Sequence, residues 1–454
     1  MRPRPIHLVG IGGAGMSGPA CLAAQAGYSV SGTDRDDSEG LAALRELDIV
    51  AVVGHGAGAI PADTQTVVVS TAIASDNPEL EHARARGLRV MHRAELLAEL
   101  MTGHRGLAVA GAHGKSTPGA MLALALGGAS ACIGATVAGG GGTGGVWGDG
   151  PWFVAEADES DRSLLDLAPE AAILLNVDHD HHATYASIDE VEDVFREFVS
   201  RLPGEGVLVV GPDARAQAVA GAGRCPVRVV GDGPGVFCRV EPDALVLAGG
   251  RRVELELAVP GWHNRTNAAC AIVLADWCGV DPHLAASRLA TFTGAGRRFE
   301  LRGIAAGVRV VDDYAHHPVE IAATLSAARE GHDGRIVVVF QPHLYSRTKA
   351  LLREFADALS AADVVVVTEI YAAREAHDPS VSGGDVAAAI GPPATAIGVG
   401  SLDEALDVVE ARLRPGDLVL TVGAGDITRL GQELVARLQK RAGNGGDPHG
   451  SGAP

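Results

Sequence analysis

Short runs of apolar, β-prone residues punctuate this chain, among them IHLVGIG, TVVVSTA, GLAVAGA, AAILLNV, GVLVVG, RIVVVFQ, DVVVVTE and DLVLTVG. Ala- and Leu-rich helical sequence fills most of the gaps between them. Strands that are apolar throughout, rather than alternately, are buried on both faces, and parallel strands need crossovers that helices supply. The pattern therefore predicts an α/β protein built on parallel sheets several times over. With 454 residues there is room for two to three domains. Three are expected: a Rossmann-like first domain over 1–100, a central P-loop ATPase-like domain over 101–297, and a Rossmann-like third over 298–440. A small antiparallel insert is expected from about 203 to 258, and a disordered Gly/Pro-rich tail over 441–454.

Charge and composition narrow the function. Asp and Glu number 56 against 37 Lys and Arg, a formal net charge of −19, which argues against a general nucleic-acid binder. No apolar run approaches the ~18 residues of a membrane span, and MRPRPIHLVG leads straight into a strand pattern rather than a signal peptide. The six cysteines are scattered without a C-x-x-C pair, so buried thiols are expected rather than zinc ligands or disulfides. A cytoplasmic protein fits best. Sixty glycines imply many tight turns and ligand loops.

Two of those loops carry chemistry. Gly10-Ile11-Gly12-Gly13-Ala14-Gly15 follows one strand and opens a helix, so its backbone N–H groups can face a diphosphate. Asp34 ends the next strand, where a ribose-binding acid belongs. The second loop, Gly111-Ala112-His113-Gly114-Lys115-Ser116-Thr117, is a shortened Walker loop with Val109 where the full pattern has glycine. Lys115 would reach the β- and γ-phosphates of a triphosphate, and Ser116 a magnesium ion. The acids of EADESD (156–161) and the Asp178-His179-Asp180-His181-His182 run end neighbouring strand patterns, and a hard cation beside a phosphate loop would take one imidazole at most. Asn264 and Asn267 share a helix face. Arg297-Arg298-Phe299-Glu300, Asp312-Asp313-Tyr314-Ala315-His316-His317 and Gln341-Pro342-His343-Leu344-Tyr345-Ser346-Arg347 crowd charge at strand ends, as a substrate face would.

GIGGAGMSG, SGTD, AGAHGKST, EADESD, the N-x-x-x-D-H element from Asn176 to His181, PGWHNRTN, RRFE, DDYAHHP and QPHLYSRT occur in this order, and together they resemble the Mur ligase family over the chain to about residue 435. The resemblance implies a magnesium-dependent ligase that uses ATP to join L-alanine to the carboxylate of UDP-N-acetylmuramate through an acyl phosphate. Such an enzyme serves peptidoglycan precursor synthesis, and with it cell-wall growth, shape and division. It would work on small molecules, as a monomer or weak homodimer, with no nucleic-acid or membrane partner. A related ligase with another amino acid, peptide or acid, in cell-wall recycling or secondary metabolism, is the nearest alternative. A non-catalytic nucleotide-binding paralogue is the other.

The resemblance also assigns residues. Gly10, Gly12, Gly13, Ala14 and Gly15 would contact the UDP diphosphate, with Asp34, Ser70 and Thr71 near the uridine. Gly111, Ala112, His113, Gly114, Lys115, Ser116 and Thr117 would hold ATP, with Asn264 at the adenine, Arg298 at the γ-phosphate and Asp313 at the ribose. Ser116, Glu156 (with Glu159 as rival) and His181 would hold magnesium. His316, His343 and Arg347 would lie near the amino acid, His343 or His316 taking up its proton. Three features depart from the family pattern: Ala112 and Pro118-Gly119 stand where threonines are usual, AGGGGTGG (138–145) replaces an asparagine-bearing substrate loop, and Leu344 replaces an arginine. So much glycine is costly to order, so the 138–145 loop is expected to be mobile or rebuilt.

Overall fold

The computed structural model describes residues 4–181, 184–373 and 375–444. The chain divides into two compact units: residues up to Ala258 together with Asn264–Gly296, and Val259–His263 together with Arg297 onward.

The first unit holds two sheets. One is wholly parallel, in the order Val50–Val53, Ser29–Asp34, Pro5–Val9, Thr66–Val69, Arg89–His92. Its strand order reverses at Pro5–Val9, so the glycine loop leaves the sheet at a switch point, where the helices diverge and leave a crevice. The second sheet has ten strands, and Arg105–Ala110 sits near its centre between Ala171–Leu174 and Trp152–Glu156, all parallel. Register aligns Val109 with Glu156 and Ala110 with Leu174, so the phosphate loop and both acidic segments emerge side by side.

The antiparallel part of this sheet is smaller than the sequence suggested. Leu208–Val210 and Val227–Gly231 extend the parallel sheet, and within the expected insert only the strands Cys238–Val240, Ala244–Leu247 and Arg251–Glu254 pair antiparallel, each with the next. The reason is the helix Ala214–Ala220, which makes the crossover. Asp213 caps it by accepting from Ala216 N at 2.8 Å.

The glycine-rich segment 138–145 is packed, not loose. Thr143 is buried, donates to Gly140 O at 2.7 Å and accepts from Gly145 N. Gly145–Val146 pairs with Ser130–Cys132. A Cβ on Gly144 would lie 1.8 Å from Ile133 O, one on Gly145 2.4 Å from Gly18 O, and one on Gly141 2.8 Å from Leu47. The segment thus lies directly against the helices Ala14–Gln25 and Glu39–Glu46 of the first sheet, at distances that exclude side chains.

The second unit is one six-stranded sheet, Glu300–Ala305, Val308–Asp313, Leu418–Val422, Ile336–Phe340, Val364–Val367, Thr395–Gly398, antiparallel only at its first pair. Its last helix, Thr428–Asn444, continues past position 441. The rest of the expected tail lies outside the described residues, as does His182.

Candidate active-site loops and their strand ends

Backbone and the next strand hold the first glycine loop. Gly10 N and Ile11 N donate to Thr33 O at 2.8 and 2.9 Å, and Gly12 N donates to Asp34 Oδ2 at 2.8 Å. Gly10 needs its positive φ of 76°, which glycine adopts without strain. Gly13 caps the helix Ala14–Gln25, and Gly15 lies in its first turn. Ser70 O closes a turn with Ile73 N, and the Thr71 hydroxyl donates to Asp161 Oδ2 at 3.4 Å. All eight residues assigned to the sugar nucleotide therefore sit at the carboxyl ends of one sheet's strands, Asp34 as a strand's last residue and the others in loops or first turns.

The phosphate loop joins Arg105–Ala110 to the helix Ser116–Leu126. Asn176, at the end of a neighbouring strand, clamps it: Oδ1 accepts from His113 N at 2.9 Å and Nδ2 donates to His113 O at 3.0 Å. His113 Nε2 lies 3.2 Å from Asp178 Oδ2. Pro118 is the third residue of the helix, where an N–H has no intrahelical acceptor, so the departure from the usual threonine costs no helix hydrogen bond. Ala112, Ser116 and Thr117 complete the loop and first turn.

Lys115 donates to Gly111 O at 2.8 Å and to Glu159 Oε2 at 2.7 Å. Burial works against its charge, but Glu159, Asp158 and Glu156 more than offset this and hold the ammonium well above the usual lysine range. Glu159 is 1% exposed and also meets His181 Nε2, 3.1 Å from Oε1. Glu156 accepts from Gly134 N at 2.8 Å, and a Cβ on Gly119 would sit 3.9 Å from its Cγ, which places it beside the loop helix. Two carboxylates, a hydroxyl at a helix start and one imidazole suit a hard divalent cation. The structure does not gather them, however: the ligand atoms of Glu156, Glu159 and His181 do not all lie within 4.8 Å of one another, and Glu159 is paired with Lys115 and His181. Asn264, the third residue of the helix Trp262–Trp277, is buried in the same unit.

The remaining residues assemble in the second unit. Arg298 Nη1 lies 3.6 Å from Glu320 Oε1 and its guanidinium stacks over Tyr314 at 5.1 Å. Tyr314 and His316 meet edge to face at 5.2 Å, His316 and His343 at 5.9 Å, and His343 stacks on Tyr371 at 5.8 Å. Arg347 Nη1 lies 3.4 Å from His343 Nδ1. Arg298, His316, His343 and Arg347 thus form one continuous patch. Hydrogen-bond partners assign the tautomers. His316 Nδ1 lies 3.0 Å from Tyr314 O, which only accepts, so Nδ1 carries hydrogen and the neutral ring's lone pair is on Nε2. His343 Nδ1 accepts from Arg347, so its hydrogen is on Nε2. Asp313 belongs to the same strand end: its carboxylate accepts from Phe299 N and Ala315 N, both at 2.8 Å. Leu344 adopts φ 72°, costly for a side chain with a Cβ, and is pinned by its N–H to Tyr371 O at 2.9 Å.

Several functional candidates escaped the sequence reading. Glu320, which accepts from His316 N and His317 N, is signalled only by its i+4 spacing from His316. Tyr371 lies on a distant strand end and carries no local signal. Arg93 opens a helix, where its partners Asp158 and Asp161 cannot be foreseen.

Comparison with known proteins gives a consistent result. Residues 5–105 match the model described as Mur ligase family, catalytic domain; 151–275 match the Mur ligase middle domain; and 297–425 match the Mur ligase, glutamate ligase domain. The chain is 47% identical to a UDP-N-acetylmuramate–L-alanine ligase of Kineococcus radiotolerans, covering 96% of both chains. It is 45% identical to the one from Rubrobacter xylanophilus, covering 95% of this chain and all of that one. Among solved structures it resembles UDP-N-acetylmuramate-alanine ligase from Thermotoga maritima, with TM-score 0.82 and 30% identity over 96% of this chain and 99% of that one.

Proposed function

The chain belongs to the Mur ligase family, and from that premise we infer that it is an ATP-dependent ligase joining L-alanine to the carboxylate of UDP-N-acetylmuramate in peptidoglycan precursor synthesis. The observation that carries this reading is near-full-length identity of 43–47% with relatives bearing that name. The phosphate loop, with Lys115 and its flanking carboxylates, gives it chemical sense.

The sugar-acid carboxylate attacks the γ-phosphorus of ATP, giving an acyl phosphate and ADP. The alanine amine then attacks the acyl carbon and expels phosphate. The first step brings two anions together and the second builds an oxyanion on the acyl carbon, charge that Lys115 and Arg298 would neutralise. Magnesium would be held by Ser116, by Glu156 or Glu159, and by His181, and would supply further charge neutralisation on the phosphates. Asn264 and Asp313 are assigned to adenine and ribose, and the loop Gly10–Gly15 with Asp34, Ser70 and Thr71 to the UDP moiety. A basic group must take up the amine proton, and the tautomers favour His316, whose Nε2 can accept it, over His343, whose Nε2 already bears hydrogen. Arg347 then orients His343 and can pair with the amino-acid carboxylate.

The test is direct. Purified protein should release phosphate from ATP with magnesium only when UDP-N-acetylmuramate and L-alanine are both present. Release that requires another amino acid, or a peptide in place of alanine, would overturn the assignment.

A further inference from the structure

Arg93 joins two sites that the reading above treats separately. It begins the helix Arg93–Met101, with its side chain 19% exposed. Its Nη2 lies 2.5 Å from Asp158 Oδ2 and 3.3 Å from Asp161 Oδ2. Its Nη1 is 3.2 Å from where a Cβ on Gly15 would stand, so the guanidinium also borders the first turn of the glycine-loop helix. Asp158 in turn lies in the field of Lys115, which is bonded to Glu159. Charges of alternating sign therefore run from the glycine loop to the phosphate loop within one compact unit: Arg93, Asp158, Lys115, Glu159.

We propose that Arg93 is a positioning residue that couples the two anion-binding loops by neutralising Asp158, so that this carboxylate opposes phosphates at neither. The inference rests on the ligase reading, which supplies both anions. Asp158 is only partly exposed, at 29%, and stripped of its cation it would repel an incoming phosphate and compete for Lys115. The guanidinium fork can serve two acids while bordering the loop, which a point charge does less well.

Steady-state ligation and melting temperature of the wild type, Arg93→Met, Arg93→Gln and Arg93→Met/Asp158→Asn decide the matter. If the wild type does not ligate alanine, the ligase reading fails on its own account. If it does, Arg93→Met is expected to raise the KM for ATP and that for UDP-N-acetylmuramate about tenfold each, with kcat changed much less. Adding Asp158→Asn should return both to within about threefold of wild type, because it removes the acid that lies 2.5 Å from Arg93 and in the field of Lys115, while Asp161 keeps the Thr71 hydroxyl and Ser163 N as donors. A merely structural role would not be rescued this way. Arg93→Gln, which keeps a donor but not the charge, carries the same expectation should Arg93→Met fail to melt cooperatively. Unchanged KM values, a rise in only one of them, or a double variant no better than the single one would overturn the proposal.

Discussion

Asp312 and Asp313 are neighbours with the same chemistry and opposite surroundings, because successive residues of a strand face opposite ways. Asp312 is fully buried among cations and hydroxyls: Arg297 at 3.0 Å, Arg302 at 3.2 Å, Thr421 at 2.7 Å and Thr428 at 2.8 Å. Asp313 has two backbone N–H groups and the Thr324 hydroxyl, and burial pushes its carboxyl up to about 6, although Arg298 pulls the other way. Between about pH 4 and 6 the folded chain therefore holds a proton that the unfolded chain releases. Stability from this group is complete below the unfolded pKa and is lost as pH rises through 6, by at most about 3 kcal/mol. Asp313→Asn should be less stable overall yet lose this part of the slope. Denaturant unfolding of both proteins at several pH values checks it, and parallel profiles would refute the account. Residue chemistry alone puts both acids in one charged motif, and only the family resemblance singles out Asp313.

Among the elements, those with a strong local signal were legible: the strands, both glycine loops, and the helices that follow them. The helix Ala214–Ala220 was not, because about two turns of alanine-rich sequence between short strands look like a connection until the Asp213 cap is recognised. Of the two expectations for the 138–145 segment, mobile or rebuilt, mobility failed for the converse reason. Its glycines predict entropy, whereas the structure uses them for proximity, with Gly18, Leu47 and Ala43 pressed against its backbone. Gly144→Ala should therefore destabilise the first unit by about 2 kcal/mol or more, since the methyl can be admitted only by moving the Ile133 carbonyl. Gly233→Ala, where a Cβ meets nothing within 4 Å, should stay within about 0.5 kcal/mol of wild type. Thermal melts of the two variants distinguish close packing from a loose loop, and equal behaviour would favour the loop.

At the scale of the whole molecule, three largely parallel sheets present most of the residues assigned to ligands near carboxyl ends of strands, as open α/β sheets do. That much follows from apolar runs and glycine punctuation. The pairing of Glu159 with Lys115 and His181, or of His316 with Glu320, does not, since it depends on which strands become neighbours. The thiols, all in the first unit, give a reading of that unit's integrity. All six are free and five are buried, and burial pushes Cys132, Cys238 and Cys278 up to about 12. A thiolate is the reactive form, so iodoacetamide near neutral pH should leave the native chain essentially unmodified and label all six cysteines only in denaturant. Rapid native labelling, followed by mass spectrometry, would contradict this burial. The glycine segment also has a genetic consequence. Every change at the first or second base of a glycine codon introduces a bulkier residue or a stop, so this stretch has almost no neutral neighbours in sequence space. Random mutagenesis scored by growth should find it silent only at third codon positions, a mark more usual for a catalytic motif than for a run of residues without side chains.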